Sequence, residues 1–297
     1  MFEPELQEKL QALAEREHLP ADFMSTVERI YAPLAARIGE RRKMLGRMMV
    51  TGICGPQGTG KSTLAEFLAL LLEHSSLKTA TISIDDLYLT RAEREKLARE
   101  VHPLLKTRGP PGTHDVAMGL RLMDELASAG PNETTLVPRF DKSIDDRAPQ
   151  SRWSAISGRP DIILFEGWCV GARPQSQEAL TEPINPLERK QDPQGIWRRY
   201  VNDSLAGAYR RLFSRIDLLV MLKPPSFDQV LEWRWLQEQK LGEKSPQGTH
   251  LMSREEIAVF IMHYERVTRQ ILSEMPVRAD YVLEIAADHA VTALRTR

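Results

Sequence analysis

Nine consecutive residues, Gly55-Pro56-Gln57-Gly58-Thr59-Gly60-Lys61-Ser62-Thr63, carry the pattern Gly-x-x-x-x-Gly-Lys-Ser/Thr. Glycines let backbone N–H groups turn inward around phosphate oxygens, and a helix starting at the lysine points its positive end at the same anion. Lys61 is placed to reach the β- and γ-phosphates of a nucleotide, and the Ser62 hydroxyl to ligate Mg²⁺. The pattern acts this way only between a strand and a helix. An apolar run, Met48–Ile53, precedes it, and an amphipathic segment, Ser62–Glu73, follows. All nine residues are candidate nucleotide contacts, with ATP and Mg²⁺ the expected ligands.

Two acidic groups end other apolar runs. Ser83-Ile84-Asp85-Asp86-Leu87-Tyr88 closes the run from Thr79, and Asp161-Ile-Ile-Leu-Phe-Glu166 delivers a carboxylate after four apolar residues. An acid at the carboxyl end of a strand beside a phosphate site accepts a hydroxyl proton or orients the waters of a metal. Glu166 is the candidate that holds Mg²⁺ through water. A pair of aspartates capping a turn is the structural alternative at 85 and 86.

Two loops concentrate cations. Thr107-Arg108-Gly-Pro-Pro-Gly-Thr113-His114-Asp115 precedes a helical stretch that Thr113 or Asp115 caps, and Val137-Pro-Arg139-Phe140-Asp141-Lys142-Ser143-Ile-Asp-Asp-Arg147 follows an apolar pair. Guanidinium forks suit carboxylates, so Arg108, Arg139, Lys142 and Arg147 form a candidate site for a small anionic substrate. Asp86, Tyr88, His114 and Asp141 join the candidate substrate contacts. A third segment, about 231–250, carries Arg234 and runs into Gly242–Gly248. It reads equally as an arginine-bearing lid, with Arg234 catalytic, or as an amphipathic surface helix.

These residues need a frame that brings strand ends together. From Met48 onward five runs read as strands, Met48–Ile53, Thr79–Ile84, Ile162–Phe165, Leu218–Leu222 and Tyr281–Leu283. Helical segments separate them, among them Val116–Ser128 and Arg254–Met275, the latter opened by a Ser253/Glu256 capping box and closed by Pro276. The alternation predicts an α/β fold with a five-stranded parallel sheet and helices on both faces, binding ligands beyond the strands' carboxyl ends. Residues 1–46 read as a helical extension, with a capping box at Ser25/Glu28, a break or restart at Pro33 and a stop at Gly46; 47–297 form the core. Arg173–Ile196, rich in Pro, Gln and Glu, reads as a long surface excursion.

The 297 residues carry a formal net charge of −1, which gives no pull towards nucleic acid or an acidic membrane. Cys54 and Cys169 lie in or beside apolar runs without metal spacing, which predicts two small buried side chains. No apolar run reaches the ~20 residues of a membrane helix, and the acidic start, Met-Phe-Glu-Pro-Glu, has no signal-peptide pattern, so a cytoplasmic location is expected. A GTPase would carry Asn-Lys-x-Asp and a transporter-type ATPase Leu-Ser-Gly-Gly-Gln, and neither is present.

In the order of its motifs, the chain resembles the D-glycerate 3-kinase-like family, within the wider phosphoribulokinase, uridine kinase and pantothenate kinase group. The phosphate loop is generic to that group. R-G-P-P-G-T-H-D (Arg108–Asp115) and P-R-F-D-K-S (Pro138–Ser143) are specific to the family, as E-G-W-C-V-G and N-P-L-E accompany them. The likeness covers Met48 to about Ala287. It implies the phosphate-binding-loop (P-loop) NTPase fold, ATP and Mg²⁺ as cofactors, and phosphate transfer to a hydroxyl, with D-glycerate to 3-phosphoglycerate the leading reaction. A same-fold kinase for another sugar acid, nucleoside or pantothenate-like alcohol is the alternative, and a nucleotide-driven switch or ATPase the reading from a different class. The resemblance further implies that Asp85 is the general base. Plant members carry a longer insert after D-K-S, where Ile144-Asp145-Asp146-Arg147 follows here at once.

Overall fold

A computed structural model describes residues 2–244 and 252–297. The chain opens with α1 (Pro4–Arg16), a short α2 (Phe23–Thr26), a π-turn over Val27–Tyr31 and α3 (Ala32–Leu45). The expected capping box at Ser25 does not form: Ser25 lies inside α2, which has no side-chain cap. The helical path also continues through Pro33, because Pro33 takes the second position of α3 and the widened π-turn ahead of it accommodates the missing N–H. Gly46, at φ +66°, ends α3 as expected.

β1 (Met49–Cys54) leads into α4 (Lys61–His74), β2 (Thr79–Ser83), α5 (Arg91–Glu100) and α6 (Val116–Ser128). Four short strands follow, β3 (Thr134–Val137), β4 (Phe140–Asp141), β5 (Asp146–Arg147) and β6 (Ser154–Ser157), pairing as β3–β6 and β4–β5. Then come β7 (Ile162–Gly167), α7 (Pro186–Gln191), α8 (Ile196–Ser204), α9 (Arg210–Phe213), β8 (Leu218–Lys223), α10 (Phe227–Lys244), α11 (Arg254–Glu274), β9 (Tyr281–Ile285) and β10 (Val291–Thr296).

The main sheet has the order β10-β9-β8-β1-β7-β2. Its parallel part consists of the five anticipated strands, in register Ile53↔Glu166 and Ser83↔Glu166. The expectation of five strands is corrected to six, since β10 returns antiparallel along β9 after the turn closed by Ala286 N–H to Ala290 O. Its alternating, half-exposed Val-Thr-Ala-Leu-Arg-Thr carries a weaker signal than the buried runs of the parallel strands.

β1 and β7 are buried along their whole length, and alternate residues serve opposite faces. Met49, Ile53, Ile162 and Leu164 pack with Leu10, Leu34, Ile38 and Phe67 from the N-terminal helices and α4. Val50, Cys54, Ile163 and Phe165 pack with residues of α6, α8 and α11. Cys54 and Cys169 are free and buried, as expected. Among the described residues no helix is long and apolar enough to cross a membrane.

The segment Arg173–Ile196 is not the surface excursion its composition suggests. Leu180, Asn185, Leu187, Glu188 and Asp192 are buried in it. Asn185 caps α7, and the wholly buried Glu188 accepts two bonds from Arg266 of α11, at 2.7 and 2.6 Å. Arg266 also donates to the carbonyls of Ala179 and Glu182, so each end of the ion pair is saturated. Removing one partner leaves an uncompensated buried charge, which costs about 3–5 kcal/mol. Glu188→Ala is therefore expected to lower the unfolding free energy by about that amount in denaturant titration. A loss under about 1 kcal/mol would show that the pair does not anchor the segment.

Candidate active site

The loop 55–60 starts at the buried end of β1, and α4 begins at Lys61 with Gly60 in the left-handed region, φ +82°. Gly58 shares that φ, and a Cβ there would lie 2.6 Å from Cβ of Trp233 on α10. Thr59 Oγ1 donates to Pro56 O at 2.7 Å and closes the loop on itself. The space ahead of α4, where the start of a helix offers backbone N–H groups without intrahelical partners, is where a phosphate would bind.

That space is a cavity of about 420 Å³ whose walls carry Lys61, Ser62, Asp85, Arg108, Lys142 and Arg234. A larger cavity, about 690 Å³, opens beside Gly171 and Leu218–Leu219, at the amino end of β8, and is lined by none of the candidate site residues. The smaller one is the candidate site because the sheet delivers Asp85 and the phosphate loop there. Gln57, Tyr88 and Trp168 also line it, with Gln237 of α10 and Phe260 and Tyr264 of α11.

The 3₁₀ turn Ile84–Leu87 after β2 sends the two adjacent aspartates different ways. Asp85 faces the cavity, where Lys142 Nζ donates to Oδ2 at 2.7 Å and Tyr88 OH to Oδ1 at 2.9 Å. Burial alone would raise its pKa; the nearby Lys142 and Lys61 ammoniums, with the two hydrogen bonds, outweigh that and hold it down at about 2. Asp86 is buried behind the site, accepting from Arg139 at 2.7 Å and from Phe140 N–H at 3.0 Å. There burial prevails and raises its pKa, against the bond from Phe140 and the charge of Arg139.

Glu166, the next to last residue of β7, lies inside the protein. Its Oε1 accepts from Ser62 Oγ at 3.2 Å, while Oε2 is buried with no hydrogen-bond partner. Among the described residues no cluster of three or more His, Cys, Asp or Glu side chains is set to hold a metal. Mg²⁺ on a nucleotide takes most of its ligands from phosphates and water and needs one or two protein oxygens. An orphaned carboxylate oxygen beside a serine hydroxyl at the mouth of a phosphate loop fits that requirement.

Several residues expected at the substrate lie elsewhere. Arg139 is committed to Asp86 and to Ser154 Oγ. Asp141 accepts from Ser143 and Arg152. His114 is buried, with Nδ1 2.5 Å from Tyr209 OH and its ring stacked 4.5 Å from that of Tyr88, and burial drives its pKa down to about 4. Arg147 bonds the carbonyl of Tyr88, and Asp115 caps α6. Arg108 reaches the cavity but is salt-bridged to Asp145. Of the segment proposed as a lid, α10 places Arg234 on the cavity wall, paired with Glu238 at 2.7 Å. Residues 245–250 lie outside those described.

Sequence reasoning missed the aromatic wall. Tyr264 OH donates to Arg108 O at 3.1 Å, and Trp168 Nε1 to Gly109 O at 3.1 Å, which fixes the 107–113 loop at the cavity rim. Gly109 is indispensable to that seal, since a Cβ there would run into the Tyr264 hydroxyl. Phe260 and Tyr264, four apart on α11, could have been found as an aromatic stripe, but such stripes usually mark core.

A mostly parallel sheet with a phosphate loop after its central strand β1, and acids at the carboxyl ends of β7 and β2, the next two strands on one side, defines a P-loop kinase. The chain is 35% identical over 250 residues to a Schizosaccharomyces pombe protein named uncharacterized kinase mug58, covering 81% of this chain and 87% of that one. It is 33% identical over 224 residues to the chloroplastic D-glycerate 3-kinase of Arabidopsis thaliana, covering 73% of this chain but 46% of that longer one. The fold matches that of a D-glycerate 3-kinase from Cryptococcus neoformans with a TM-score of 0.76 at 24% identity, over 94% of this chain and 100% of that one. No protein-family model matches. The chain belongs to the D-glycerate 3-kinase-like family of P-loop kinases and is an ATP- and Mg²⁺-dependent phosphotransferase.

Proposed function

We propose that the chain transfers the γ-phosphoryl group of ATP to the primary hydroxyl of a small hydroxy acid, with D-glycerate as substrate and 3-phosphoglycerate as product. The observation that carries this reading is the convergence of Lys61, Arg108, Lys142 and Arg234 on one small cavity with, among the described residues, a single acid, Asp85, directed into it. Four cations around one carboxylate suit the phosphates of a nucleotide together with an anionic acceptor.

Loop 55–60 and the start of α4 bind the phosphates, and Lys61 neutralises charge on the transferring group. Ser62 and Glu166 would hold Mg²⁺, which screens the phosphate oxygens when bound. Asp85, directed at Lys142 and Tyr88 and not at Ser62, belongs to the acceptor: it orients the hydroxyl and takes its proton. The hydroxyl oxygen forms the new bond to phosphorus, the bond from phosphorus to the ADP oxygen breaks, and the proton leaves Asp85 for solvent. Arg234 lies on the helix that would cover the phosphates and adds a further positive charge there. The aromatic wall of Trp168, Phe260 and Tyr264 excludes water that would otherwise compete for the phosphoryl group.

Acceptor-dependent ADP release tests this across a panel of hydroxy acids, sugars, nucleosides and pantothenate. D-glycerate is expected to give the highest kcat/KM. Faster turnover of a nucleoside or pantothenate would refute glycerate while leaving the kinase class untouched.

A further inference from the structure

We infer that Lys142 covers Asp85 in the empty site and is drawn off by the carboxylate of the acceptor, so that acceptor charge decides which alcohol is phosphorylated. This rests on the reading of the site as a hydroxy-acid kinase.

Both carboxylate oxygens of Asp85 are engaged, one by Tyr88 OH and one by Lys142 Nζ. A carboxylate can accept further bonds, but with Nζ on Oδ2 an acceptor hydroxyl has to compete with an ammonium there, and an ion-paired carboxylate is the weaker base. Tyr88 is fixed: it is buried, stacked on His114 and packed edge-on against Phe140 at 5.1 Å. The Lys142 side chain is 60% exposed, against 27% for Asp85, and it is the partner free to move.

The backbone beneath Lys142 is held in place. Asp86 grips Arg139 and Phe140 N–H at one end of the β4–β5 hairpin, Arg94 and Arg108 grip Asp145 near the other, and Ser143 closes the turn on Asp141. Uncovering Asp85 thus needs only a change of rotamer in one long side chain, with no loop movement.

What the displaced ammonium meets decides whether the exchange is favourable. A neutral alcohol offers hydroxyls alone, and breaking an ion pair without replacing the partner is costly in a partly buried site. A hydroxy acid brings its own carboxylate. When its primary hydroxyl takes the place of Nζ at Asp85, the carboxylate of glycerate, two carbons from the one that bears this hydroxyl, comes within reach of the displaced Lys142. One charge pair is exchanged for another. Arg108, already pinned by Asp145, cannot make this exchange.

The test compares D-glycerate with glycerol, a three-carbon alcohol lacking the carboxylate, in wild type, Lys142→Met and Lys142→Arg. In Lys142→Met, kcat/KM for glycerate is expected to fall about 10–100-fold, while kcat/KM for glycerol rises about tenfold or more as Asp85 is uncovered. Lys142→Arg keeps the charge and should keep the preference for glycerate. Because Lys142 is largely exposed, the thermal midpoint should not move, and this serves as the folding control. Loss of both activities by the same factor would overturn the inference, as would a glycerol activity that stays unchanged or undetectable in Lys142→Met. A wild-type enzyme that prefers a neutral alcohol to every carboxylate would overturn it together with the proposed function, which separates the two failures.

Discussion

Lys61→Ala should lower kcat by about 10²–10³-fold, with the thermal midpoint of unfolding nearly unchanged. Lys61 is the first residue of α4, lines the cavity and forms no salt bridge with any described residue. Alanine is at least as good a helix former, so the helix loses nothing by the exchange. What disappears is a positive charge aimed at the transferring group in a cavity partly shielded from water. Such preorganised charges are worth roughly 3–4 kcal/mol, and each ~1.4 kcal/mol is tenfold in rate. Steady-state kinetics beside a melting curve checks both halves. Near-normal turnover in a folded variant would remove the phosphate-loop assignment.

The second large effect separates neighbours in sequence. Asp85→Asn should lower kcat about 10²–10⁴-fold, the usual contribution of a general base, while nucleotide binding persists. Asparagine keeps the shape and still accepts from Tyr88, but it cannot take the hydroxyl proton. Asp86→Asn should leave kcat within about tenfold and instead destabilise the fold by about 1–3 kcal/mol, because Asp86 is buried and holds Arg139 and the Phe140 N–H. The depressed pKa of Asp85 keeps it ionised through the assay range. Its contribution to stability is complete above the unfolded value of about 4 and is lost as pH falls towards 2. Kinetics and denaturation of the two variants settle the assignment, and the reverse pattern would move the base to Asp86.

The signals readable from sequence were local ones. A buried parallel strand is a short apolar run, and a phosphate loop is a contiguous pattern, so the five parallel strands, the Gly46 stop and the Ser253/Glu256 box could be placed without coordinates. Pairings across long separations could not. Arg139 and Lys142 lie three apart and look alike in sequence, yet one is tied to Asp86 and the other to Asp85. His114 reads as a loop histidine until Tyr88 and Tyr209 are seen to enclose it. The Glu188–Arg266 pair turns a hydrophilic stretch into core, which composition cannot reveal because burial of charge depends on a partner 78 residues away. Ser25 failed for the opposite reason: the local pattern was correct, but the helix had already begun at Phe23.

The central claim, phosphorylation of the primary hydroxyl of glycerate, is tested most directly by proton-coupled phosphorus NMR of the product formed from ATP, Mg²⁺ and D-glycerate. A phosphate on the terminal carbon couples to two equivalent or near-equivalent methylene protons, and that pattern, matching 3-phosphoglycerate, is the expected result. Coupling to a single methine proton would mean a 2-phosphate. That outcome, or the absence of any glycerate product from enzyme that phosphorylates another acceptor, would contradict the account.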